Sequence, residues 1–318
     1  MKKLASLFEH KKRALIIGIG GGADVVSTLP IRRYLQTKNI NSFIGGVAWQ
    51  WAWTVDPKPG PRSINEIINC QKISDTVAIV DSKTFIPGTR GEYPESIISK
   101  LYNTRPLLID ITKGVKGIVY GLKTAINYLG CDLFIGVDAG GDVLETGKEK
   151  GIRSPEADSA MLAAMTKLET PNVLAVVGLG LDGELTLHEL RRSISKCKRH
   201  GGYYGSYKLT SQDLQFYKEC IENGIKTGVG TLILEAARGI RKSFIKSDKP
   251  YPVKISSLAT KILFFNPKIV FNYVNVISRT IEKTTQFEEI NRAIFQLGIK
   301  PMQEREREFL AKSEKLLL

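Results

Sequence analysis

The sequence predicts an α/β protein with a doubly wound, mainly parallel, Rossmann-like sheet flanked by helices, followed by a C-terminal mixed or helical extension. Three observations support this prediction. Short apolar runs recur at intervals of roughly 25 to 40 residues, glycine or aspartate bounds each run, and helix-length segments separate them. The runs are continuous rather than alternating, which is typical of strands covered on both faces.

Six apolar runs are predicted to be the strands of this sheet: residues 14–19, 42–47, 76–80, 107–111, 133–137 and 173–177. A further run, residues 260–265, is predicted to be an edge strand because Pro267 follows it closely. Helices are predicted between the strands and in the extension: residues 114–129, 156–168, 182–199, 211–224, 227–238, 286–295 and 303–316. Glycines at or just past several of these ends favour helix termination.

The pattern divides the chain into a Rossmann-like core, residues 1–242, and a C-terminal extension, residues 243–318. A polar linker, residues 243–252, opens the extension. We expect the extension to pack either on the core or on a second subunit, so a homo-oligomer is one outcome. The first residues predict a short polar helix rather than a signal peptide, because charged residues 9–13 interrupt the apolar stretch.

Composition excludes several classes of protein. The 318 residues are 42% hydrophobic and 25% charged, which is too apolar for a disordered chain and fits neither a collagen nor a small disulfide scaffold. The four cysteines form no C-x-x-C pair, which favours a reducing, cytoplasmic location. The apolar runs are all shorter than the roughly 18 residues that a membrane span needs.

The net charge of +14 is unevenly distributed. Residues 186–318 carry 24 lysines and arginines against 13 acids, whereas residues 1–185 carry 22 against 19. A basic stretch followed by tyrosines, residues 191–208, predicts a nucleic-acid surface in one interpretation. In the other interpretation it is the solvated face of a helix with cations near its C-terminus.

The first predicted strand leads into a glycine turn that predicts phosphate or nucleotide binding. Gly20, Gly21 and Gly22 are placed to offer backbone N–H groups, and Asp24 follows directly. The second strand lacks the acidic residue that holds the ribose of NAD, since residues 43–49 contain no carboxylate. The turn therefore favours phosphate binding over an NAD-dependent oxidoreductase.

The stretch that follows the fifth predicted strand gives the strongest local signal. Asp138 and Asp142 flank two glycines, and such a turn can direct both carboxylates at one divalent cation. Oxygen ligands without histidine or cysteine clusters favour Mg²⁺ or a similar ion. Arg153 and Ser154 then precede a helix with proline at its first position, a predicted seat for an anion. Asp158 is either a further ligand or a favourable partner of the helix dipole.

Other strand ends and one loop complete the predicted site. Asp110 is a predicted catalytic group, and Lys113, Gly180 and Asp182 are predicted to contact phosphate or nucleotide. The loop after the second strand carries all three tryptophans at alternate positions. Trp49, Trp51 and Arg62 are therefore predicted to form a substrate wall, with the alternative that the loop is a buried structural corner.

These motifs together resemble an uncharacterised, largely archaeal family catalogued as a domain of unknown function. The resemblance rests on GIGGGADVVSTLP, the Trp-to-PGPR loop, DAGGD followed by RSPEAD, and GLGLDGEL, and covers most of residues 14–265. It implies a Rossmann-like fold and an intracellular setting. A looser likeness, carried by DAGGD, is to metal-dependent phosphatases of carbohydrate phosphates.

We therefore expect an enzyme that binds a nucleotide or sugar phosphate and uses a divalent cation for hydrolysis or transfer at a phosphoryl or glycosyl centre. The alternatives are a nucleotide-binding regulatory or nucleic-acid-associated protein without turnover and, less favoured, an NAD-dependent oxidoreductase.

Overall fold

The computed structural model describes residues 2–246 and 251–315. The strands are β1 (Arg13–Gly18), β2 (Asn41–Val47), β3 (Gln71–Ser74), β4 (Val77–Ile79), β5 (Leu107–Ile109), β6 (Leu133–Ala139), β7 (Asn172–Val177), β8 (Tyr203–Lys208), β9 (Ser243–Phe244), β10 (Val253–Lys254) and β11 (Lys261–Phe265). The helices are α1 (Lys2–Ser6), α2 (Thr28–Gln36), α3 (Pro94–Tyr102), α4 (Gly114–Leu129), α5 (Pro155–Met165), α6 (Leu187–Arg199), α7 (Ser211–Glu222), α8 (Gly228–Ala237), α9 (Pro267–Tyr273), α10 (Val276–Ile281), α11 (Phe287–Gln296) and α12 (Met302–Lys315).

The protein is built on one nine-stranded mixed sheet in the order β3-β4-β5-β2-β1-β6-β7-β11-β8. The five central strands from β5 to β7 are parallel, and the strands at both margins are antiparallel to their neighbours. The α/β class and the mostly parallel sheet, consistent with a Rossmann-like fold, are confirmed.

Helices cover both faces of the sheet, as the continuous apolar strands require. In β1, Leu15 and Ile17 face the layer of α4 and α5, whereas Ala14 and Ile16 face the layer of α2, α7 and α8. Adjacent residues of one strand therefore belong to two separate apolar clusters. Every residue of this run is buried for that reason, and its sequence shows no alternation.

Part of the predicted extension, residues 243–318, belongs to the main sheet. β11, at residues 261–265, pairs with β7 on one side and with β8 on the other. It is an inner strand of the main sheet and not the predicted edge strand. The predicted polar linker contains β9, which pairs antiparallel with β10 just after the linker, and residues 247–250 of the linker lie outside the described residues.

One helix prediction differs from the structure by five residues at its N-terminus. The helix predicted at residues 182–199 begins at Leu187, because Thr186 and Glu189 form a reciprocal capping box there. The preceding loop instead carries glycines at positive φ, among them Gly180 and Gly183. By contrast, α4 has the predicted bounds and ends at Gly130, which adopts the left-handed conformation expected of a terminator.

One buried acid of the fold gives a pH-dependent prediction. Glu95, in the first turn of α3, is 1% exposed, and its Oε2 has no hydrogen-bond partner within the described part of the chain. Burial raises the pKa of Glu95 to about 8. Because the carboxyl holds its proton in the folded state but loses it on unfolding, its contribution to stability is present at low pH and is lost as the pH rises to about 8.

Glu95→Gln is therefore expected to stabilise the protein more at pH 9 than at pH 5. The gain is on the order of 2 to 4 kcal/mol, since one pKa unit corresponds to about 1.4 kcal/mol. Urea denaturation at both pH values measures it, with the exposed neighbour Glu92→Gln as control. A gain that is equal at both pH values would contradict the assignment.

Candidate functional site

A cavity of about 930 Å³ lies at the carboxyl ends of the parallel strands, where ligands bind in folds of this kind. Its floor comes from the glycine turn after β1 and from the turns after β6 and β7. The N-terminal regions of α5 and α8 and one face of α12 form its walls. The cavity thus combines parts of the chain from residue 20 to residue 309.

Three carboxylates converge beside this cavity, of which Asp24 and Asp158 line it and Asp138 is fully buried. Asp24 follows the glycine turn, Asp138 is the penultimate residue of β6, and Asp158 lies in the first turn of α5. One oxygen atom from each lies within 4.8 Å of the others. Two ligands of one Mg²⁺ or Ca²⁺ ion are separated by about 5 Å at most, because each bond is roughly 2.0 to 2.6 Å long. The spacing therefore suits a single divalent cation.

Backbone amides hold two of these carboxylates in place. Asp24 Oδ2 accepts hydrogen bonds from the N–H of Gly20 at 3.0 Å and of Ala139 at 3.3 Å. Asp138 accepts from the N–H of Gly141 at 3.0 Å and, through its other oxygen, from Val143 at 3.2 Å. The turn after β6 and the turn after β1 are thereby joined.

Asp158 differs from Asp138, whose two carboxylate oxygens both accept hydrogen bonds, because its buried Oδ1 atom accepts none. The residue is 2% exposed, and Asp158 Oδ1 has no hydrogen-bond partner among residues 2–246 and 251–315. A buried carboxylate oxygen without a partner is costly. A cation between the three carboxylates would give this atom a ligand bond.

Burial and mutual repulsion raise the pKa of every carboxyl in the cluster. For Asp138 the pKa rises to about 7, first through burial and then through the negative charge of Asp182. Burial raises the pKa of Asp24, and the charge of Asp138 adds to the rise. Burial and the charges of Asp138 and Asp24 do the same for Asp158. Several buried carboxylates this close are compatible with ionised side chains only if a cation compensates them.

Asp142, the second predicted metal ligand, lies beside the triad but outside it. It lines the cavity, and burial together with the charges of Asp158 and Asp138 raises its pKa. The structure instead adds Asp24 and Asp158 to Asp138 as the close set. Asp24 approaches because its turn packs against the end of β6, which sequence spacing does not reveal.

The glycine turn is shaped by its contact with these carboxylates. A Cβ atom on Gly20 would lie 2.7 Å from Asp24 Oδ2 and 2.8 Å from Asp158 Oδ2. The N–H of Gly20 donates to Asp24, and that of Gly22 donates to the Trp49 carbonyl at 2.7 Å. Two of the three N–H groups predicted to hold phosphate are therefore used within the protein, while all three glycines line the cavity.

Gly20→Ala is expected to weaken divalent-cation binding at least about tenfold, because the methyl group would displace carboxylates that must converge. Titration of the metal-free protein with Mn²⁺ measures the affinity. Gly91→Ala is the control, since the nearest atom to a Cβ there lies 3.9 Å away. Equal affinity of both variants would show that the carboxylates do not bind the ion.

The predicted anion seat before α5 is occupied by a carboxylate of the protein. Glu184 accepts hydrogen bonds from the N–H groups of Arg153 at 2.6 Å and Ser154 at 3.1 Å, and from the Ser154 hydroxyl at 2.8 Å. The N–H groups of residues 153 and 154, just before the helix, are thus taken. Arg153 and Ser154 still line the cavity, so the Arg153 side chain remains a wall residue.

Only part of the predicted tryptophan wall faces the cavity. Trp49 is fully buried and donates its Nε1 hydrogen to Glu306, whereas Trp51 lines the cavity. Arg62 does not reach the cavity, because its guanidinium is buried in ion pairs with Asp56 and Glu66. The structural-corner interpretation therefore holds for Trp49 and Arg62.

Three other predicted site residues lie outside the cavity. Asp110 follows β5, three strands from β6, and its carboxylate accepts the N–H groups of Ile64 and Thr112. Lys113 pairs with Asp75 at the surface. Gly180 shapes the loop after β7 at a φ of 79°.

Asp182, from the same loop, does line the cavity. Asp81 also follows a strand, but β4 is antiparallel to β5, so Asp81 lies at the opposite edge of the sheet.

Sequence reasoning missed the cations and aromatic rings that the later part of the chain brings to the cavity. Arg305 and Phe309 come from α12, and Lys226 and Lys246 flank α8 and β9. The sequence feature that could have indicated this contribution was Phe309, an apolar residue in the largely charged helix predicted at residues 303–316.

The predicted basic region lies on α6 and β8, outside the cavity. Its arginines and lysines are exposed or half-buried, while Leu190, Ile194 and Cys197 face the core. Within the described ranges, every helix is too short or too polar to span a lipid bilayer. The four cysteines carry free thiols, and three of them are buried.

Comparison with known proteins yields one family. A family model described as "Protein of unknown function (DUF1152)" matches residues 15–310, from β1 into α12. No curated protein and no solved structure matches the chain. The match therefore includes all the segments that line the cavity, and function must be argued from their chemistry.

Proposed function

The chain belongs to the DUF1152 family of unknown function, and we propose that it is an enzyme that hydrolyses a phosphorylated small molecule with the help of a divalent cation. The ion would be held by Asp24, Asp138 and Asp158. The phosphorylated group would lie above it in the cavity, near the cations of the wall.

The observation that carries this proposal is the convergence of three carboxylate oxygens within 4.8 Å of one another, from the buried Asp138 and Asp158 and the half-buried Asp24, beside a cavity of about 930 Å³. Hard oxygen ligands suit Mg²⁺, Mn²⁺ or Ca²⁺. The unpartnered Asp158 Oδ1 adds support, since it gains a partner when an ion is bound. The cavity leaves space on its open side for water or a phosphate oxygen.

The remaining charges of the cavity suit a phosphate ester. Arg153, Lys226 and Lys246 lie in its wall and offset the negative charge of a phosphate. A bound divalent ion would polarise the phosphoryl group. Asp142 lies beside the triad as the carboxylate that would take a proton from the attacking water. The water oxygen adds to phosphorus, the ester P–O bond breaks, and the leaving oxygen takes a proton from solvent, which releases an alcohol and phosphate. Asp142 then returns its proton to solvent.

The other candidate functions have less support. In an NAD-binding unit the glycine turn offers its N–H groups to a pyrophosphate, whereas here Asp24 takes the N–H of Gly20 and places a carboxylate there. Nucleic-acid association through residues 191–208 would use a surface outside the cavity. It would leave the carboxylate triad without a role.

Thermal denaturation with Mg²⁺, with phosphorylated ligands and with both tests the proposal. We expect Mg²⁺ alone to stabilise the protein, a phosphate monoester to stabilise it further only when Mg²⁺ is present, and release of phosphate to need the ion. Stabilisation by NAD that is indifferent to Mg²⁺ would overturn the proposal. Salt-sensitive retention on RNA or DNA without any effect of Mg²⁺ would favour the nucleic-acid alternative.

A further inference from the structure

The helix α12 forms one wall of the cavity and is fixed to the core. Glu306 accepts hydrogen bonds from Trp49 Nε1 at 3.1 Å and from the N–H groups of Ala52 at 2.8 Å and Gly60 at 2.7 Å. The Met302 N–H donates to the buried carboxylate of Glu156. These bonds direct another face of the same helix towards the carboxylate triad.

On that face, Arg305 has a buried donor atom without an acceptor among the described residues. Its guanidinium is half-buried, and its Nε atom is buried with no hydrogen-bond partner in residues 2–246 and 251–315. Burial and the positive charge of Arg153 both lower the pKa of Arg305. Two guanidinium groups that repel one another at the wall of a cavity are stabilised by an anion placed between them.

The carboxylates near Arg305 are occupied elsewhere. Glu184 accepts from Ser154 and the backbone of residue 153, Glu156 accepts from Met302, and Glu308 pairs with Lys300. Their negative charges raise the pKa of Arg305 and so offset the effects of burial and of Arg153 in part. A ligand anion would give the buried Nε of Arg305 the hydrogen-bond acceptor that it lacks among the described residues.

One turn further along α12, an aromatic surface adjoins this cation. Phe309 packs edge-on against Trp53 with ring centroids 5.7 Å apart, and Trp53 stacks on Trp51 at 6.3 Å with 27° between the ring planes. Trp53 is 41% exposed and Phe309 is 39% exposed, and both line the cavity. Large aromatic rings left open in a cavity suit a planar ring of a ligand.

From this arrangement we propose that the ligand is a nucleoside phosphate whose phosphate contacts Arg305 and Arg153 above the carboxylate triad while its base packs against Trp53 and Phe309. This inference rests on the proposed function for the ion and deepens it by naming the substrate class. It assigns recognition to α12, the helix predicted to lie in a separate extension. A sugar phosphate would engage the arginines and leave the aromatic rings uncovered.

Calorimetric titration in Mg²⁺ with adenosine 5′-monophosphate and ribose 5-phosphate tests the inference. The native protein is expected to bind the nucleotide at least tenfold more tightly than the sugar phosphate. Phe309→Leu removes most of this preference and leaves the affinity for ribose 5-phosphate within about twofold. Arg305→Gln weakens the binding of both ligands at least tenfold. Arg307→Gln, at an exposed position of the same helix, leaves both affinities unchanged.

A separate titration with Mn²⁺ alone distinguishes the two proposals. If Mn²⁺ binds but the nucleotide is not preferred, or Arg305→Gln binds both ligands as well as the native protein, the inference on substrate class is overturned and the metal site stands. If Mn²⁺ does not bind but the nucleotide still binds through Arg305 and Phe309, the metal-dependent function is overturned and the ligand class stands. Melting temperatures show whether Phe309→Leu is folded, and Arg305→Lys is a milder second variant.

Discussion

Asp158→Asn is expected to abolish the stabilisation of the protein by Mg²⁺ without destabilising the metal-free protein. The substitution removes one of three converging carboxylates, and the two that remain no longer compensate a divalent ion. The metal-free protein keeps its stability because a neutral amide replaces a carboxyl that burial and two neighbouring negative charges disfavour. At a Mg²⁺ concentration 100 times the dissociation constant, the lost stabilisation is about 2.7 kcal/mol.

Thermal denaturation with and without Mg²⁺ measures this loss, which corresponds to a shift of roughly 4 °C. Asp75→Asn is a matched control, because Asp75 is largely exposed and pairs with Lys113 at the surface. If Asp158→Asn kept the native response to Mg²⁺, the triad would not be the metal site. Activity of this variant towards a phosphate ester should fall together with its response to Mg²⁺.

Glu306→Ala is expected to cause the largest loss of stability among the substitutions considered. The carboxylate of Glu306 is buried and accepts three hydrogen bonds, from Trp49, Ala52 and Gly60. Alanine would leave three buried donors without an acceptor, at about 1 to 3 kcal/mol each before relaxation. After local relaxation we expect a total loss of about 3 to 5 kcal/mol and a decrease in Tm on the order of 10 °C.

Urea denaturation of the two variants Glu306→Ala and Glu304→Ala provides the comparison. Glu304 lies in the first turn of the same helix, so its replacement changes the charge of α12 without removing the buried acceptor. Glu306→Gln keeps one acceptor oxygen and should lose less than Glu306→Ala. Equal stability of Glu306→Ala and Glu304→Ala would show that the bonds of Glu306 do not hold the helix.

The strands and several helices follow from local sequence pattern. All six apolar runs predicted as strands contain strands, and α4 has the predicted bounds. The order and direction of the strands did not follow from the sequence. β4 was predicted as a strand of a mainly parallel sheet and β11 as an edge strand, but both pair antiparallel inside the sheet. An apolar strand that is buried on both faces has the same composition in either orientation.

The candidate site was only partly predictable for a related reason. Asp138 and the glycine turn stand next to recognisable strands, so the rule for strand ends found them. Asp110 also follows a strand, but its carboxylate accepts a hydrogen bond within a local turn. Arg62 forms an ion pair with Asp56 instead of lining the site. A sequence motif does not show whether a polar side chain is already paired.

The sequence by itself determined the α/β class, the continuous buried strands and the glycine- and aspartate-rich turns at their ends, because these depend on residues close together in the chain. Only the tertiary structure decided which carboxylates converge and what surrounds them. Asp24, Asp138 and Asp158 meet because three separate turns end at one point, and Arg305 joins them because Glu306 anchors its helix to the tryptophan loop. Such contacts depend on packing between segments up to about 280 residues apart, which no local pattern encodes.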